Sequence, residues 1–360
     1  MKFLLFDLLF YFFTIPFYAQ EIKTSPKDSK PTSTKDSKQI NTLHIGFFPN
    51  LTHPQALVAQ ALTRKGEGWF ERYLPNNVSI QWHRFYAGPS AMESLITGTI
   101  DLSYVGPSPA INLYTRTSGK DIRLLGGAVK GGSGLVLQND ISINSSPDWK
   151  GRKIATPQFG NTQDIACRNW FAKQSIKDII LLPASNPDQL MLFKRKQIDG
   201  AWTIEPWLSR LINEGNGKLF FSDDTQWTTI LVCSQAFCHK YNPIKKAIVK
   251  AHEELTLWIK NNIKEAADLI HAELKTQTHL DFSCELIEAT LKKLQLCTTV
   301  PQNEMQLWLD DAVNIGFIKP EKNISLDKFF SEVLHEEVSP KSQGKQALKL
   351  SEESTKNLHH

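Results

Sequence analysis

TLHIGFFPNLTHPQALVAQAL, residues 42–62, changes character in the middle. A short run of β-branched and aromatic residues reads as a strand and ends at the turn formers Pro49 and Asn50. Beyond them apolar residues recur at helical spacing. Thr52 and Gln55 stand three apart as a capping box, and Pro54 falls in the first turn, where its missing N–H costs nothing. Strand, turn and capped amphipathic helix together make the repeating unit of an α/β fold.

The unit recurs along the chain. The strand "VSIQWHRFYAG" precedes "PSAMESLITG", where Ser90 and Glu93 are spaced as a second capping box, and "IDLSYVG" leads into "PSPAINLYTRT", with Ser108 as the expected cap before Pro109. After the strands "DIRLLGGAV" and "GLVLQ" the pattern restarts with "RKIATPQFGN" and the helix "TQDIACRNWFAKQ". "NPDQLMLFKRKQ", with Asn186 as expected cap, and "EPWLSRLINEG", opening at Glu205 and Pro206, are the next helices. Strands alternating with helices of this length predict mainly parallel sheets flanked by helices. Two sets of units, with the strand "TTILVCS" after the second, predict two lobes joined by crossovers. From about residue 242 the chain reads as helical, and Trp258 and Trp308 fall on apolar stripes as core residues.

Composition is that of a globular protein, 41% hydrophobic and 22% charged, and a formal net charge of +4 is spread along the chain. No basic stripe interleaved with aromatics appears, so nucleic acid is not an expected partner. Residues 1–19 have the layout of a secretory signal peptide, although Asp7 interrupts the apolar run and Phe17 is large for its place; an uncleaved membrane anchor is the alternative. No cysteine follows the run, which argues against a lipid anchor. Residues 20–41 and 338–360 read as solvated, unstructured segments. Five cysteines are too few for a disulfide scaffold, and most are expected as small buried hydrophobes, with Cys233 and Cys238 the nearest pair. No CxxC or HExxH spacing suggests a metal, and no cofactor is expected.

The strand-to-helix turns share one chemistry. "FPNLTHPQ", "AGPSAME", "VGPSPAI", "FGNTQD" and "TIEPW" contain Asn, Thr, Ser, Gln, Gly and His but no Lys or Arg. Ligands of open α/β sheets bind outside the carboxyl ends of the strands. Helix N-termini there present free N–H groups and the positive end of the macrodipole, so they receive anions without a formal counter-charge. Each charge-assisted hydrogen bond contributes about 1.5–3 kcal/mol. About four to six on one oxyanion suffice for roughly micromolar binding. Any single Ser, Thr or Asn at a helix start is first of all a cap. The argument rests on five such turns gathered at one edge. Aromatic residues near them (Phe48, Tyr104, Phe159, Trp202 and Trp207) either wall an apolar tail or belong to the core. Glu205 either caps its helix or meets a cationic or hydroxyl group on a ligand.

These blocks, with "GWFE", "WKGRKIATPQFGNTQD", "NPDQLMLFKRKQIDGAWTIEPW" and "LWLDDAVNIGF", resemble the solute-binding proteins of ABC importers for nitrate, sulfonate and taurine. The resemblance covers about residues 43–337. It implies a two-lobed periplasmic-binding fold of the second type, with one lobe formed by 42–138 and 226–337 and the other by 139–225. It implies a periplasmic monomer that takes a small anionic organic ligand, an aliphatic sulfonate foremost with nitrate, bicarbonate, taurine or another small solute of the family as the alternative, and delivers it to a membrane permease with its ATPase. Ligand contacts carried over by the resemblance are Asn50, His53, Gln55, Ser90 and Ser108 on one lobe, and Gly160, Asn161, Thr162, Gln163, Glu205 and Trp207 on the other. Gly106, from the repeated GPS turn, and Trp202, an aromatic beside the "TIEPW" turn, join them as candidates from the turn chemistry alone. The cysteine-rich "CCCFC" stretch of the pyrimidine-precursor branch is absent.

Two other readings remain. An enzyme on the same fold would use Glu205 or His53 as a base, against which the leader argues; no nucleophile motif is present, and no catalytic residue is expected. A sensory module would present the liganded state to a receptor.

Overall fold

The computed structural model describes residues 40–319 and 325–331. The expected signal peptide, the spacer up to residue 39 and the tail from 338 lie outside the described residues. Eleven strands and eleven α-helices follow one another among the described residues. The strands form two sheets.

The six-stranded sheet contains β1 (Thr42–Phe47), β2 (Ser79–Arg84), β3 (Leu102–Val105), β4 (Ile122–Lys130), β10 (Trp227–Ser234) and β11 (Gln295–Leu296), in the order β11-β4-β10-β3-β1-β2. The five-stranded sheet contains β5 (Ser133–Gln138), β6 (Lys153–Thr156), β7 (Ile180–Pro183), β8 (Gly200–Ile204) and β9 (Gly217–Asp223), in the order β7-β6-β8-β5-β9. β1 pairs parallel with β2 and β3, and β6 pairs parallel with β7 and β8. The remaining pairings are antiparallel. The sheets are therefore mixed, where mainly parallel ones were expected. The reason is topological: β10 and β5 each enter their sheet directly from the other lobe, without a crossover helix to reverse the chain.

The chain leaves the first sheet after β4 and returns into β10. At the outward crossing Gly131 and Gly132 take φ of +79° and +71°, a left-handed region that favours glycine. Gly131 N–H donates to Gln226 O on the return crossing at 2.9 Å, so the two connections lie side by side.

Seven helices sit on the strand connections and return turns: α1 (Pro54–Arg64), α2 (Gly88–Ile96), α3 (Pro107–Arg116), α4 (Thr162–Lys173), α5 (Asn186–Lys194), α6 (Trp207–Asn213) and α7 (Gln235–Lys240). The C-terminal part is helical as expected: α8 (Asn242–Asn261), α9 (Ile263–Thr278), α10 (Cys284–Lys293) and α11 (Gln302–Asn314). Leu43, Ile45 and Phe47 of β1 pack with Leu57, Val58 and Ala61 of α1 and with Ile248, Leu255 and Ile270 of α8 and α9 in one core. A second core joins α2, α3 and α11 on the other face of that sheet. Two further clusters, one built around Phe193 and Leu211 and one around Trp149 and Trp202, flank the five-stranded sheet. Among the described residues no helix is long and apolar enough to cross a membrane.

Helix starts differ from expectation by one to three residues. The N-cap of α1 is His53 rather than Thr52, that of α2 is Ala87 rather than Ser90, that of α3 is Gly106 rather than Ser108, and that of α5 is Ser185 rather than Asn186. In each, a proline occupies the first or second helical position. Its fixed φ suits that place; at α1, α2 and α3 the start follows proline rather than the hydroxyl, and at α5 the Ser185 hydroxyl supplies the cap, accepting from Asp188 N.

Candidate functional site

The loop between β6 and α4 is held from beneath by one carboxylate. Asp164 is fully buried and accepts hydrogen bonds from Thr156 Oγ1 (2.8 Å), Gly160 N (2.9 Å) and Arg168 Nε (2.9 Å). Its own N–H donates to Asn161 Oδ1 at 2.8 Å, closing the N-cap of α4. Gly160 turns the chain with φ +76°. The first turn of α4 is thereby fixed with the N–H groups of Thr162 and Gln163, which have no acceptor within the helix, at its open end.

Facing this turn is the other lobe. Gly106 comes so close that a β-carbon there would stand 1.9 Å from Thr162 Oγ1. Leu51 N donates to Glu205 O at 3.2 Å, Trp207 Nε1 to Asn50 Oδ1 at 3.3 Å, and Ser108 Oγ to Gly160 O at 3.4 Å, all between the lobes. At the carboxyl ends of the strands these contacts leave a cavity of about 40 Å³. Asn50, Thr52, His53, Gly106, Asn161, Thr162, Gln163, Asn186 and Thr228 give it polar walls, with Phe48 and Tyr86 beside them. Among the described residues Thr52 Oγ1, His53 Nδ1 and Thr162 Oγ1, buried there, have no hydrogen-bond partner. A buried polar atom left unpaired costs about 1–3 kcal/mol, so three around one cavity mark a place built for a hydrogen-bonding guest. No Lys, Arg, Asp or Glu lines it.

His53 is an uncharged member of this wall. It is 2% exposed and meets Phe48 edge-on, ring centroids 4.8 Å apart. Burial holds its pKa down at about 3, so the imidazole is neutral at physiological pH. It offers one ring nitrogen as donor, not a cation.

A larger cavity of about 270 Å³ shares Asn50, Tyr86 and Asn186 with the first. Pro49, Pro187, Trp207 and Leu280 give it an apolar and aromatic wall, and Arg84 lies at it, stacked 5.3 Å over the Tyr86 ring. No carboxylate lines this cavity either.

The residues named from sequence divide accordingly. Asn50, His53, Gly106, Asn161, Thr162 and Gln163 line the polar cavity, and Trp207 lines the apolar one. Ser108 and Gly160 lie at the same junction but bond to each other. Four are placed elsewhere. Gln55 points into its own lobe, donating to Ala128 O and Thr256 Oγ1 at 3.1 and 3.2 Å, because α1 starts a residue later than expected. Ser90 is exposed and turns back to Ala87 O at 2.9 Å. Trp202 is 1% exposed and donates to Ser133 Oγ at 3.1 Å within the Trp170–Phe221 aromatic cluster, on the core-facing side of β8. The Glu205 carboxylate accepts from Ser209 N (3.1 Å) and Oγ (2.9 Å) and so holds the first turn of α6; burial raises its pKa despite those bonds. Tyr104 is likewise core, its hydroxyl 2.9 Å from His252 Nδ1.

Thr52, Tyr86, Asn186 and Thr228 were not singled out as contacts from sequence; two were read as caps. Asp164 was also missed, although the Asn161–Asp164 spacing is that of an N-cap with an acidic third residue. Among the described residues no group of three or more His, Cys, Asp or Glu is placed to hold a metal ion.

Comparison with known proteins bears on this geometry. The model of the NMT1-like family matches residues 36–273. A Bacillus subtilis (strain 168) protein named for aliphatic sulfonate binding is 25% identical over 278 residues, 75% of this chain and 77% of that protein. A taurine-binding periplasmic protein of Escherichia coli (strain K12) is 24% identical over 185 residues, 49% of this chain and 56% of that protein. Among solved structures, the alkanesulfonate-binding protein SsuA from Xanthomonas axonopodis pv. citri bound to MOPS aligns with a TM-score of 0.64 at 18% identity, covering 78% of this chain and 95% of that one. The periplasmic nitrate-binding protein NrtA from Synechocystis PCC 6803 aligns with a TM-score of 0.67 at 16% identity, covering 83% and 88%. At these identities the structures establish the fold: two lobes of the periplasmic-binding type.

Proposed function

The chain belongs to the NMT1-like family, and from that premise we propose that it is the solute-binding component of an ABC importer, working outside the inner membrane as a monomer and capturing a small organic anion between its lobes. One observation carries the ligand class. Thr52 Oγ1, His53 Nδ1 and Thr162 Oγ1 stand unpartnered around a cavity that no charged side chain lines. Neutral donors and a helix N-terminus suit a singly charged, delocalised oxyanion. A phosphate or sulfate dianion would call for a cation.

The neighbouring cavity selects among such anions. Trp207, Tyr86 and Leu280 offer an apolar enclosure of about 270 Å³ next to the polar one, room for the carbon chain of an aliphatic sulfonate. Taurine is disfavoured by the same wall, since its ammonium would meet no carboxylate there. Nitrate is the second reading. The polar cavity of about 40 Å³ has room for a few atoms beyond one water, enough for a bare trioxyanion without use of the second cavity. The enzyme reading loses its bases: Glu205 is committed to Ser209, and an imidazole held at about 3 is far from a general base matched to neutral pH.

A thermal-shift panel of the purified chain tests this: ethanesulfonate, longer alkanesulfonates, taurine, nitrate, bicarbonate, sulfate and phosphate. Ligand at a hundred times its Kd adds about 2.7 kcal/mol, a rise of a few degrees for a chain of this size. The expected order is alkanesulfonates above taurine, with no response to phosphate. Response to nitrate alone selects the second reading. Silence across the panel from folded protein overturns the anion receptor.

A further inference from the structure

A second chemically distinctive pocket lies on the six-stranded lobe, away from the cleft. Cys233, next to last in β10, is fully buried, and Cys238 lies on α7. The turn between them is held by Ser234, whose side chain accepts from Phe237 N at 3.2 Å. It sets the two thiols side by side, within hydrogen-bonding reach and unlinked. Cys238 forms part of the wall of a cavity of about 460 Å³, together with Arg123, His239, Lys245, Asp327, Lys328 and Ser331, so that Arg123, Lys245 and Lys328 outweigh the one carboxylate.

The wall is cationic where the sulfur sits. Lys245 is only 4% exposed, and its positive charge acts on the Cys238 thiol that shares the cavity wall with it. Ser331 is 2% exposed, and its hydroxyl has no partner among the described residues. The Cys233 thiol, by hydrogen bonding, holds Cys238 down at about 7 against the opposing effect of burial, and Lys245 and Arg123 add to the lowering. Burial pushes Cys233 well above the ordinary thiol range. The thiolate is thus favoured at Cys238, which meets the cavity, and the protonated thiol at Cys233 behind it.

We propose that Cys238 and Cys233 are a redox-active dithiol, in which Cys238 attacks anionic disulfides admitted by the cationic cavity and Cys233 resolves the product. In the first step the Cys238 thiolate attacks one sulfur of R–S–S–R. The S–S bond breaks, a Cys238–S–S–R bond forms, and RS⁻ leaves. In the second step Cys233 gives its proton to solvent and attacks the Cys238 sulfur. The mixed disulfide breaks, a Cys233–Cys238 bond forms, and the second RS⁻ leaves. The protein is oxidised by two electrons and the disulfide is reduced to two thiols. This site stands independently of the ligand reading of the cleft.

Intact-mass spectrometry and thiolate absorbance on the full chain at pH 7 test it, with the dianionic disulfide dithiobis(nitrobenzoate) and the cationic disulfide cystamine as probes. In the wild type, the first thiolate should be released roughly threefold faster than from an unperturbed thiol. A second thiolate should follow without a lasting adduct at Cys238, and the peptide map should join Cys233 to Cys238, whatever adducts the partly exposed Cys284 and Cys297 keep. Cys233→Ser should trap the mixed disulfide on Cys238, and Cys238→Ser should abolish the fast phase. Lys245→Met should slow the anionic probe more than cystamine. A fast phase that survives in Cys238→Ser, or a wild type that retains its adduct as Cys233→Ser does, overturns the proposal. Equal slowing of both probes in Lys245→Met overturns the selection for anionic partners.

Discussion

Gly106 shows how little room a single position leaves. Its φ is −70°, which any residue adopts, so the requirement for glycine comes from across the cleft, where a β-carbon would stand 1.9 Å from Thr162 Oγ1. Gly106→Ala should fold normally and fail to bring the lobes to their present separation. Affinity for the preferred anion should fall at least about tenfold, near 1.4 kcal/mol. Thr162→Ala removes the hydroxyl that clashes, at the cost of one ligand bond of about 1–3 kcal/mol. In the double variant the losses should be less than additive, and calorimetric titration of the four proteins measures it. Strict additivity would mean the two residues do not meet in the liganded protein. His53 offers a second test at this scale. Because burial keeps it neutral down to about pH 3, affinity for a permanently charged sulfonate should be flat from pH 5 to 8. A rise of about tenfold per unit on acidification would show instead that the ligand draws a proton onto the ring.

At the scale of elements, the loop from β6 to α4 depends on Asp164, which gathers Thr156 Oγ1, Gly160 N and Arg168 Nε. Asp164→Ala leaves these donors without their acceptor inside the protein, and the expected cost is about 2–4 kcal/mol of stability, read by denaturant unfolding. Ligand affinity should fall with it, because the mouth of α4 is no longer held. A stability loss with unchanged affinity would separate the loop from the site. The polar row at 161–163 was legible in the sequence because turn formers, a cap and a helix follow one another there. Exact helix starts were not legible: at α2 and α3 a proline competed with a serine for the start, and proline's fixed φ prevailed. That shift carried Ser90 off the cleft and out to solvent. Strand alternation alone likewise does not say which face of β8 meets the cleft, and Trp202 went to the core.

For the whole molecule, two lobes could be read from the double run of strand-helix units, but the antiparallel strands could not, since they arise from the paired crossings at Gly131 and Gln226. Packing of the helical C-terminal part onto the first sheet also buried a group whose titration reaches overall stability. His252 of α8 sits between Tyr104 Oη (2.9 Å from Nδ1) and Gly127 O (2.6 Å from Nε2), and burial holds its pKa down at about 4. Above pH 6.5, the ordinary value, the imidazole is neutral in both folded and unfolded chains and has no effect on pH dependence. Between 6.5 and about 4 the unfolded chain takes up a proton that the folded one refuses, so stability falls as pH falls. From pH 7.5 to 5.5 this one residue should remove about 1.4 kcal/mol. His53 acts in the same direction, while Glu205, whose pKa burial raises, acts in the opposite one. Total acid sensitivity therefore does not isolate His252, but a variant does. His252→Gln keeps a donor and an acceptor without a titrating ring, and it should lower stability at pH 7.5 yet lose less on going to pH 5.5, by about 1.4 kcal/mol relative to wild type. Denaturant unfolding at the two pH values gives that difference directly. Parallel losses in the two proteins would mean that His252 accepts its proton in the folded state, and that the seat between Tyr104 and Gly127 is open to water.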